Sequence, residues 1–181
     1  MLPSVIARVA LLLAVSGAAG CVSTSGPAPV SGQPGPARGE PLEFSFSGAD
    51  QEVVSSAGTR GRATLLVFVT TYDMTSQLVL RRVGEAIVRF VPRSNAAAVV
   101  LEAPSYAELL PAYRDSLQLP FPVVMSDFAT LQGVGPFADI QHVPTLLVLD
   151  RTGREVARRQ GALSLEEIEQ ELTRASGNRR P

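Results

Sequence analysis

Residues 140–153 read IQHVPTLLVLDRTG. A polar step at Gln141-His142 leads into Val143-Pro144, then an unbroken apolar run from Thr145 to Asp150, then an Asp150-x-x-Gly153 turn. A short apolar run fenced by proline on one side and a turn on the other reads as a strand buried on both faces. After the turn, Glu155–Arg159 reads as its antiparallel hairpin partner. Ser164 and Glu167 have the spacing of a capping box, and Leu165, Ile168 and Leu172 put one apolar stripe on the helix it opens.

Reading toward the N-terminus, Phe121–Met125 is a short extended segment between prolines, and Asp127 caps a turn of helix before Gly133. Ser105 with Glu108 predicts a second capping box, opening a helix that Pro111 kinks or ends early. Ala96–Leu101 (AAAVVL) and Ala63–Thr70 (ATLLVFVT) are two more buried strands. Between them, Val79, Val83, Ala86, Ile87 and Phe90 recur at helical spacing over Thr75–Val91, with Arg81, Arg82, Glu85 and Arg89 on the opposite face. Leu42–Val54 reads as an added hairpin turning at Gly48-Ala49-Asp50. The order is hairpin, then βαβα, then ββα, an α/β domain spanning residues 42–176.

Composition removes several functions. Sixteen basic residues against seventeen acidic give a net charge of −1, which argues against a nucleic-acid partner. Every basic residue is Arg, so Schiff-base chemistry and the P-loop lysine are excluded. One His and one Cys cannot supply the three or four ligands of a usual zinc site, and one Cys cannot close an internal disulfide. No metal and no cofactor is expected.

The first twenty residues, MLPSVIARVALLLAVSGAAG, have the layout of a signal peptide. Arg8 gives a weak positive charge, Val9–Val15 a short apolar core, and small residues precede Cys21. Ala18-Ala19-Gly20-Cys21 resembles the bacterial lipobox, which implies a palmitate-bearing lipoprotein anchored to the bilayer through acylated Cys21. The resemblance implies a place in the bacterial cell envelope, facing the periplasm, and Val22 after the cysteine favours the outer over the inner membrane. A plain secretory signal ending beside a cysteine is the other reading. Residues 21–41, rich in Ser, Gly and Pro, read as a disordered tether spanning about 25 Å. Residues 177–181 read as a loose tail.

Two segments carry a further likeness. Leu66-Val67-Phe68-Val69-Thr70-Thr71-Tyr72 ahead of a helix, and Ile140–Thr145 ahead of a strand, turn and final helix, resemble the thioredoxin-like superfamily, in its TlpA-type and peroxiredoxin-related (AhpC/TSA-like) branch. The resemblance implies a three-layer α/β/α sandwich with a mixed sheet, and a cis bond before Pro144. It also places two redox cysteines at the helix start, where this chain has Asp73 and Ser76 in Tyr72-Asp73-Met74-Thr75-Ser76. Neither side chain can exchange disulfides. Asp73 then has two readings: an N-cap of the helix, or one member of an acid–base–nucleophile cluster with Ser76 and His142.

Two functions follow. One is a redox-inactive binding module for an extended peptide or envelope protein, with a groove between Tyr72, Asp73 and the His142-Val143-Pro144 loop, where Val143 offers strand-type hydrogen bonds. The other is an enzyme: a divergent thiol–disulfide or peroxide oxidoreductase, or a small hydrolase using His142 with Asp73 or Ser76.

Overall fold

The structure, a computed structural model, describes residues 39–177. The expected signal peptide (1–20), Cys21, most of the 21–41 tether and residues 178–181 lie outside the described residues.

Ser45–Ser47 (β1) and Val53–Ser55 (β2) pair antiparallel as the expected hairpin, a sheet of its own with Phe46 opposite Val54. A Cβ at Gly48 would lie 3.0 Å from the backbone oxygen of Val123, so a glycine at this turn lets the hairpin sit tight on the domain. A one-turn helix, α1 (Ser56–Thr59), follows, capped by the Ser55 hydroxyl.

The main sheet begins with β3 (Ala63–Val69), all seven of whose residues are buried. Helix α2 (Met74–Phe90) carries the chain across to β4 (Ser94–Val100), which runs parallel to β3 with Val69 beside Val100. Beyond it, β5 (Val123–Met125) is parallel to β4. On the other flank, β6 (Thr145–Leu149) is antiparallel to β3 and β7 (Glu155–Gln160) is antiparallel to β6. The order β5-β4-β3-β6-β7 is the mixed five-stranded sheet expected.

Between β4 and β5 the structure departs from the sequence reading. The Ser105/Glu108 capping box does not form: Pro104–Leu109 is a 3-10 segment with no side-chain cap. Pro111 does not end the helix that follows but stands in its first turn, since α3 spans Leu110–Leu117. There the missing N–H of proline has no helical partner to lose, and its fixed φ suits the start of a helix. Asp127 does cap α4 (Phe128–Leu131), accepting from the Thr130 amide at 2.7 Å. The Ser164/Glu167 box also forms, opening α5 (Leu165–Ala175). At the β6–β7 turn the Asp150 carboxylate accepts the Thr152 and Arg154 amides at 2.8 and 3.0 Å. Gly153 completes that turn at φ +82°, a region that suits glycine.

Two apolar clusters cover the sheet. On one face α2, α3 and α5 set Val79, Val83, Leu110, Ile168 and Leu172 against Leu65, Val67 and Val148. On the other, Phe44, Phe46 and Phe137 cover Leu66, Phe68, Val99 and Leu147. This second outer layer is thin, made of the hairpin and the loop bearing Phe137. The Phe137 ring holds it together, centred 5.0 Å from Phe68, 5.6 Å from Phe46 and 5.9 Å from Phe44. Replacing Phe137 with Ala removes that junction. It is expected to lower stability by about 3–5 kcal/mol in urea unfolding, with the far-ultraviolet dichroism of the folded state little changed.

Candidate functional site

The carboxyl-terminal ends of β3, β4 and β5 lie side by side, and the chain leaves each of them at the same edge of the sheet. In α/β sheets this edge is where ligands bind, because loops here are free to vary while the strands hold them in place. Thr70-Thr71-Tyr72 leaves β3 and delivers Asp73 to the start of α2.

Asp73 is the N-cap of α2. One carboxylate oxygen accepts the Thr75 amide at 3.2 Å; the other accepts the Ser76 amide and the Ser76 hydroxyl, each at 2.7 Å. The Ser76 hydroxyl above all, with the two amides, holds the Asp73 carboxyl below its ordinary value against the opposing effect of burial. Ser76 is fully buried and its hydroxyl proton is committed to Asp73. A nucleophilic serine also donates to a base, but its oxygen must be open to a substrate, which the buried Ser76 oxygen is not.

Three residues join this group that the sequence reading passed over. Glu102 is buried just past the end of β4, and its carboxylate accepts the Thr71 amide, while the Gln77 side chain donates to the Thr71 carbonyl at 3.0 Å. Both backbone groups of Thr71 are thereby held, which sets the path of the chain into Asp73. Tyr113, from α3, points no polar contact at either carboxylate: its buried hydroxyl has no hydrogen-bond partner. Burial first, then the charges of Glu102 and Asp73, push its pKa up to about 12. Glu102 carries a sequence signal, an acid directly after an unbroken apolar strand. Tyr113 carries none, because only the packing of α3 brings it near. Just past the ends of β3 and β5, the buried hydroxyls of Thr70 and Ser126 are also without partners among the described residues.

The Val143-Pro144 loop reaches the same end of the sheet, since Thr145 of β6 pairs with Phe68 of β3. The Val143–Pro144 bond is cis. The Pro144 carbonyl accepts the Gly161 amide at 2.9 Å and the His142 carbonyl accepts the Thr145 hydroxyl at 2.6 Å. The Val143 amide and carbonyl make no hydrogen bond among the described residues. Asp73 and Ser76 are thus brought into contact, with Tyr72 beside them and 79% exposed. His142 is exposed, and among the described residues it has no hydrogen bond or ion pair with either of them. No cluster of three or more metal-ligating side chains occurs among the described residues.

The sequence matches no protein-family model and no curated protein. Solved structures do match. A thiol:disulfide interchange protein of the thioredoxin family from Chlorobium tepidum superposes at a TM-score of 0.65, with 19% identity over 79% of this chain and 100% of its own. StoA from Bacillus subtilis gives 0.58, with 18% identity over 72% and 96%. A secreted Mycobacterium tuberculosis disulfide oxidoreductase gives 0.60, with 12% identity over 74% and 96%. The chain has the thioredoxin-like fold. Residues 39–177 contain no cysteine; the single cysteine of the chain is Cys21.

Capping by Asp73 is open to measurement. Asp73→Ala is expected to cost about 1 kcal/mol of stability near neutral pH, and Asp73→Asn much less, because Asn also caps. Because the folded-state pKa is depressed, the carboxylate's contribution is complete above the ordinary Asp value and lost as pH falls through the folded value. The gap between wild type and Asp73→Asn in chemical denaturation should therefore close on acidification below about pH 4.

Proposed function

We infer that this protein is a redox-inactive, thioredoxin-like lipoprotein of the bacterial envelope whose domain binds an extended, largely apolar peptide segment. One observation carries the reading. Of ten large apolar residues exposed on the described surface, six follow β3, β4 or β5: Tyr72, Met74, Tyr106, Leu109, Phe128 and Val134. Exposed apolar side chains gathered at one edge of a sheet mark an interaction surface. Val143 supplies backbone groups without internal partners at the same edge, as strand addition requires. Asp73 and Glu102 put two carboxylates there, which favours neutral or basic segments over acidic ones.

Sulfur chemistry has no means within the domain. Asp73 has no sulfur with which to form a mixed disulfide, and its carboxylate already accepts three hydrogen bonds. The lipobox-like Ala18–Cys21 places the acyl anchor about twenty residues upstream of the domain, so the peptide edge would work close to a membrane surface, with the outer membrane favoured. No helix among the described residues is long and apolar enough to cross a membrane. The redox reading is favoured by the names of the fold's neighbours, and would require a thiol brought by another molecule.

Two measurements test this. Mass spectrometry of the N-terminus from bacterial membranes should find diacylated Cys21 and no alkylatable thiol; a free thiol there would overturn the lipoprotein reading. Insulin-reduction and peroxide-consumption assays should show no turnover, while an array of extended peptides should be captured. Capture should be lost in Val143→Pro, which lacks the backbone N–H, and in Tyr72→Ala, both with unchanged circular dichroism. Turnover abolished by His142→Ala would favour an enzyme instead, and capture surviving Val143→Pro would place the partner elsewhere.

A further inference from the structure

The opposite end of the sheet, at the amino-terminal ends of β3 and β4, holds a cavity of about 340 Å³ open to solvent on one side. Its walls come from the hairpin, the last turn of α2 and the chain entering β5, and include Val53, Val88, Val91, Pro92 and Phe121. Val53, Val88 and Val91 are 58%, 63% and 62% exposed, three of the four large apolar residues left on the surface once the peptide edge is set aside. Soluble proteins rarely leave such groups clustered around a concavity without use for them. The volume falls in the range of small-molecule sites, about 300–1,000 Å³.

The polar lining selects the head group. Among the described residues Arg62 is the one charged residue on the cavity wall, and no carboxylate lines it. Among the described residues Arg62 has no ion pair; its guanidinium donates only to the side-chain oxygen of Asn95, at 3.2 Å. An apolar concavity with one uncompensated guanidinium at its wall complements an apolar molecule bearing one carboxylate. At about 30 Å³ per group the size of a water molecule, close to that of a methylene, the volume accepts about eleven such groups. We propose that this cavity is a second binding site, independent of the peptide edge, that takes a free aliphatic monocarboxylate of about eight to ten carbons, with the chain against Val88, Val91 and Phe121 and the carboxylate on Arg62. An esterified acyl chain lacks the charge that Arg62 would pair.

Titration calorimetry and amide chemical-shift mapping with sodium decanoate, kept below micellar concentrations, test this on the full chain. Saturable binding is expected, with shifts confined to the cavity wall. Affinity should fall about fourfold for each methylene removed from decanoate to octanoate. Arg62→Gln should weaken decanoate about tenfold and leave 1-decanol unchanged, and methyl decanoate should bind no better than the alcohol. Val91→Asp, at an exposed position that leaves the core intact, should abolish decanoate binding. The proposal is overturned if decanoate does not saturate, if its shifts fall at Tyr72 and Phe128 instead, if Val91→Asp binds as wild type does, or if Arg62→Gln weakens acid and alcohol equally.

Discussion

Strand β3 is the constraint on which the rest depends. Each of its seven residues is buried, one set facing the helices and the other facing the phenylalanine cluster. A strand covered on both faces cannot slip by one residue without exchanging its two apolar sets, so its register is strongly specified. That register fixes where β3 ends, and so where Thr71, Tyr72 and Asp73 emerge. Glu102 and Gln77 then hold the two backbone groups of Thr71, and Asp73 receives the free amides of α2. Rigidity passes outward from the core to the edge without any covalent crosslink.

The N-terminus of α2 shows what the start of a helix offers an anion. A helix start presents unpaired amides and a partial positive charge, which favour an anion. A thiolate at that place is stabilised by the same field that here stabilises the carboxylate of Asp73. The carboxylate, however, accepts three hydrogen bonds and gains stability for the helix, not reactivity. The same edge carries exposed aromatic and aliphatic side chains and the backbone of Val143.

Apolar exposure is concentrated at both ends of the parallel strands. Helix α2 starts at one end and finishes at the other, so Tyr72 and Met74 mark its beginning while Val88 and Val91 mark its close. The two ends differ in charge. Asp73 and Glu102 put carboxylates at the first, whereas among the described residues Arg62 alone charges the cavity wall at the second.

Much of the fold was readable from local pattern. Apolar runs located β3, β4 and β6, helical spacing located α2 and α5, and the caps at Asp73, Asp127 and Ser164 formed as their side chains and spacing require. These features depend on neighbours within a few residues, which a sequence displays directly. The segment 104–117 misled because proline is compatible with a helix's first turn and hostile to its interior, and the choice between them rests on where α3 packs. The Thr71 contact of Glu102, the place of Tyr113 and the Arg62 cavity were decided by tertiary structure alone. Each depends on residues tens of positions apart being brought to one place, and on which groups are left without partners once the core has closed.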